Sequence, residues 1–132
     1  MFSRIAIMVL RVCALAAIVL GVLFWTGHAL ALRQVHMTLG TLVVLALWAL
    51  AVALLFARGV TVPVRAGLAA GAVVVGALLA VVGMTQERLM PGAQHWVIQV
   101  GHLGLALAAI ALGEMIAARA LRSAKLAKVA AR

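Results

Sequence analysis

Acidic side chains are nearly missing from this chain: Glu87 and Glu114 are the only two in 132 residues, and there is no Asp and no Tyr. Neither carboxylate stands in the middle of an apolar run, so proton-coupled membrane transport has little to rest on. Cysteine is down to one, Cys13, which excludes an intramolecular disulfide and any cysteine-rich metal site. Serine is confined to Ser3 and Ser123, both far along the chain from every histidine, and no glycine-rich loop precedes a lysine. Hydrolytic catalysis and nucleotide binding therefore lack their residues.

What is present is apolar. Hydrophobic residues make up 68% of the chain, and they fall into four runs of the roughly 20 residues that a helix needs to cross a bilayer. The runs cover about 5–27, 33–57, 64–84 and 93–117, with a basic tail at 118–132. The sequence thus predicts an all-α fold: one integral membrane domain over 1–132, a four-helix up-down-up-down bundle in the lipid bilayer with no room for a soluble domain. Pro63 suits the first turn of the third span. Gly67 and Gly71 form a Gly-x-x-x-Gly pair that permits close helix packing, and a homo-oligomer is compatible with it. The start of the chain also resembles a secretory signal with Ala29-Leu30-Ala31 as a cleavage site, but its basic region reaches Arg11, and Trp25 and His28 crowd that site. A retained first span is the expectation.

The net charge of +9 does not point to nucleic acid, because the basic residues are scattered at the ends of apolar runs. They set orientation instead. Arg4, Arg11, Arg58, Arg65, Arg119, Arg122, Lys125, Lys128 and Arg132 fall on one side, and only Arg33 and Arg88 on the other. This places both termini on the cytoplasmic side. The tail is expected to continue the fourth helix, and Glu114, near the inner boundary, to pair with Arg11, Arg58 or Arg65.

In that topology all four histidines share the outer half. His28 ends the first span, His36 starts the second, His95 starts the fourth, and His102 lies seven residues further in, two turns deeper on one face. An imidazole at that depth needs a partner. A backbone carbonyl, Thr38 or Gln99 could serve His102. A cofactor accounts for more of the pattern: His36 and His102, on diagonal helices, form the preferred axial pair for a b-type haem, with His28 and His95 as alternative ligands or ligands of a second haem. Gly40, Gly101 and Gly104 are expected to open the gap for the porphyrin. Arg33 and Arg88 are candidate propionate partners, and Gln86, Gln94 and Gln99 candidate supporting donors. Competing readings are a non-haem Zn or Cu site on the histidines and a structural subunit in which they are incidental.

The segment HMTLG from His36 to Gly40 and the segment HWVIQVGH from His95 to His102, in a minimal four-helix chain, resemble the small bacterial b-type membrane cytochromes, whose larger relatives include the di-haem cytochrome b proteins that oxidise quinols or superoxide. The resemblance implies haem b, one group or two, exchanging electrons with a quinone or a small acceptor at the outer face; if the chain is an enzyme, it is an oxidoreductase. Two haems stacked across a membrane would use ligands about fourteen residues apart on one helix, on the order of 20 Å. The spacing of seven here confines the expected chemistry to one side.

Overall fold

The computed structural model describes residues 1–130; Arg132 and the side chain of Lys128, both counted in the basic tail, lie outside the described residues. Four α-helices carry the chain: α1 (Phe2–Trp25), α2 (Arg33–Leu55), α3 (Val62–Thr85) and α4 (His95–Ala130). Each contains a stretch long and apolar enough to cross a membrane. The helices begin and end where apolar residues give way to Gly, Pro and polar ones. At the end of α1, Gly27 takes φ 78° while its N–H bonds Phe24 O at 3.0 Å and the His28 N–H bonds Leu23 O at 2.8 Å. This is a Schellman ending, and its left-handed residue is the reason for glycine. Pro63 sits in the first turn of α3, where its missing N–H costs nothing. α4 runs on unbroken through Arg119, Arg122 and Lys125.

The helices form a bundle in which α1 packs on α2 and α4, α3 on α2 and α4, and α2 also touches α4. Its core lies towards one end. Leu10 of α1, Leu47, Leu50 and Leu54 of α2, and Ile116 of α4 are fully buried there, with Ala72 of α3 among them. Two glycines let the backbones close in. A Cβ on Gly76 would stand 2.5 Å from Trp48 Nε1, which donates to Ala72 O at 3.2 Å, and a Cβ on Gly113 would stand 2.7 Å from Leu10. Gly67, by contrast, faces open space, and Gly71 meets only Leu112 at an ordinary 3.6 Å. Close approach therefore falls at Gly76 and Gly113 rather than at the Gly-x-x-x-Gly pair, because Gly67 lies on the outward side of the first turns of α3.

Arg65 donates to Leu55 O at 2.8 Å and Ala57 O at 3.3 Å, satisfying carbonyls that the end of α2 leaves free. Arg11, not Arg58 or Arg65, is the partner of Glu114. Glu114 lies nine residues before Ser123, whose hydroxyl donates to Arg58 O at the end of α2, so it is further from that end than a boundary residue would be.

Candidate functional site

At the other end the bundle is open inside. No described residue of α1 after Ala14, of α2 before Val43, of α3 after Leu79 or of α4 before Ala109 is buried. Between these segments lies a cavity of about 430 Å³, a size that suits a small ligand or cofactor.

Two imidazoles face each other across it. His36, in the first turn of α2, donates from Nδ1 to Ala17 O of α1 at 3.0 Å. That bond orients the ring and leaves Nε2 as the nitrogen available to a ligand. Phe24 packs edge-on against the same ring at 5.3 Å between centroids. His102, two turns into α4, has its ring centre 6.4 Å from that of His36, with the planes inclined at 52°. Its Cε1 lies against Gly83 of α3, where a Cβ would come within 3.0 Å. Nδ1 of His102 is buried with no hydrogen-bond partner. An orphaned buried polar atom of this kind costs about 1–3 kcal/mol, so the arrangement is incomplete as it stands.

The other expected residues divide. His95 lines the cavity nearer the chain's polar α3–α4 connection, with Nδ1 3.4 Å from Leu89 O. Arg33 also lines it, but its guanidinium is paired with Glu87 at 2.5 Å. Gln86 and Gln99 contribute to the wall, whereas Gln94 does not. His28 lies outside, exposed, with Nδ1 3.1 Å from Thr26 Oγ1. Arg88 is exposed and does not reach the cavity.

The glycines fall elsewhere than expected. Gly40, Gly101 and Gly104 do not line the cavity, and a Cβ on any of them would meet nothing within 4 Å. Gly101 and Gly104 are one residue before and two after His102, which turns them about 100° and 160° away from its face. The small residues that abut the histidines are Gly83 and Gly21, the latter 3.5 Å from His36 Cε1 through its would-be Cβ. Both come from α1 and α3, which carry no ligand of their own. Counting depth back from the ends of those two helices, rather than along the helices that carry histidine, is the signal that finds them.

Among the described residues no three His, Cys, Asp or Glu side chains converge to hold a metal ion. Fold and site together define a four-helix bundle with membrane-spanning lengths and a histidine-faced cavity at one end. Comparison with protein-family models, with curated proteins and with solved structures finds no match to the chain.

Proposed function

We propose that the chain is a haem b-binding electron-transfer protein of the bacterial inner membrane. Its helices run up and down, both termini are cytoplasmic, and the cavity opens towards the outer face, where electrons pass to or from a quinone or a small acceptor. The observation that carries this reading is the pair His36 and His102, one imidazole fixed through Nδ1 and the other with an unpaired buried nitrogen, 6.4 Å apart across a cavity. Two imidazoles that held one metal between them at the roughly 2 Å of a histidine–metal bond would have ring centres about 6 Å apart, so the spacing is compatible with a shared metal.

His36 and His102 would hold the group and Phe24 would pack beside it. Bound there, haem supplies one-electron redox chemistry at iron. The chain's own part is orientation through the Ala17 carbonyl, exclusion of water by the apolar wall, and clearance beside His102 through Gly83. One haem suits the cavity better than two, since His28 lies outside it. A resident Zn or Cu ion finds no third converging ligand among the described residues, and an incidental role leaves the facing of His36 and His102 across the cavity unexplained.

The test is an absorption spectrum of protein produced with ample haem, oxidised and then reduced with dithionite. A Soret band with sharp reduced α and β bands is expected, lost in His36→Ala and in His102→Ala and kept in His28→Ala. No Soret band in the wild type, or unchanged spectra in both ligand variants, would overturn the assignment.

A further inference from the structure

Glu114 is held by Arg11 through two hydrogen bonds, Nε to Oε1 at 2.6 Å and Nη2 to Oε2 at 2.7 Å, which tie α4 to α1. The pair is not inside the bundle: its side chains are 52% and 40% exposed. It lines neither the histidine cavity nor the smaller pocket near Ser123. Nor is it at a helix end. Arg11 stands nine residues after Phe2, where α1 begins, and Glu114 nine before Ser123. At about 1.5 Å per residue Arg11 lies on the order of 10 Å in from Arg4 and Glu114 on the order of 8 Å in from Arg119, the basic residues that bound the two apolar runs, so both stand within the inner part of an apolar band of about 30 Å. Charges within membrane spans are found facing a bundle interior or a watery cavity. This pair faces outward, so its cover has to come from outside the chain.

The pair's chemistry selects that cover. Two of the five guanidinium N–H groups are used, and the carboxylate keeps unused lone pairs, so the best neighbour offers an anion and a cation together at the same depth. A second copy of the pair does so. About a twofold axis along the membrane normal, Arg11 of one copy comes opposite Glu114 of the other, and the reverse contact forms with it.

The flanking side chains agree in size and depth. Ala111 and Ala118, exposed and small, lie on either side of Glu114 on α4. Met8 and Leu15, 54% and 66% exposed, lie on either side of Arg11 on α1. The same axis sets Leu15 of one copy over Ala111 of the other and Met8 over Ala118. Small residues at such a contact let helices approach closely. We infer that this α1–α4 face is the contact between two copies of the chain, centred on a ring of four alternating charges. The inference rests on the membrane-spanning reading and not on haem.

Association is measured on the full chain in lipid nanodiscs and mild detergent by light scattering, and in vesicles by energy transfer over a range of protein-to-lipid ratios. The wild type is expected to be a dimer. Arg11→Glu and Glu114→Arg, each with like charges within and across the contact, are expected to be monomeric when produced singly. Co-production of the two is expected to restore a mixed dimer, which an ion pair acting only within one chain would not do. Ala111→Leu leaves the bundle interior untouched and is expected to weaken association by about tenfold or more; it decides the matter if the charge variants do not fold, as judged by their helical circular dichroism. A wild type monomeric at every ratio, a dimer that survives Ala111→Leu, or well-folded charge variants that do not re-associate when mixed would each overturn the inference.

Discussion

The two ends of this bundle are built on the same four helices and do different things. At one end Leu10, Leu47, Leu50, Leu54 and Ile116 interlock until no solvent reaches them. At the other, the same four helices keep their partly covered apolar residues apart and enclose about 430 Å³ around two histidines. The tight end supplies the packing that holds the helices in place. The hollow end can then leave a cavity and an unpaired imidazole nitrogen, both of which lower stability by themselves.

That contrast can be tested in order of expected effect. Leu50→Ala, in the tight end, is expected to lower stability by about 2–5 kcal/mol, read by reversible unfolding in mixed micelles; an equal loss from Leu103→Ala, at the cavity wall, would break the contrast. Gly76→Ala forces Trp48 away from Ala72 and is expected to cost about 1–3 kcal/mol, with a change in tryptophan fluorescence as its second readout. His102→Ala removes the orphaned nitrogen, so the protein without ligand should be unchanged or more stable by up to about 1 kcal/mol; on the proposed function the same change abolishes haem binding. Gly83→Ala should displace the His102 ring and, on the proposed function, alter the spectrum of the reduced haem. The smallest change is expected from Gly104→Ala, which meets open space and should fall within about 0.5 kcal/mol of the wild type. A shift there as large as that from Gly83→Ala would return Gly104 to the cavity side.

Much of this was legible residue by residue. The four helices followed from run length, and Pro63 marked a start that the chain does use. His36 and His102 were singled out because an imidazole stands out among leucines. The gap-opening glycines were not legible in the same way. Gly101 and Gly104 are near His102 along the chain, but helical rotation carries them off its face, while Gly83 and Gly21 are remote in sequence and adjacent in space. Arg33 and Arg88 looked equivalent as outer-face cations, yet one lines the cavity and pairs with Glu87 while the other is exposed and does not line it. Arg65 looked like a possible partner for Glu114 and instead caps α2, because its place three residues into α3 brings it to the carbonyls of Leu55 and Ala57.

What the sequence determines alone is what depends on composition and local period: four helices, their length against a bilayer, the places where they stop, and the rarity that makes each histidine and each glutamate costly to leave unpaired. Which of those rare groups meet is decided only in the tertiary structure. Facing across helices depends on the rotation and depth of each one, and these are set by contacts such as Gly76 against Trp48 and Gly113 against Leu10, where a single methyl group would hold the backbones apart.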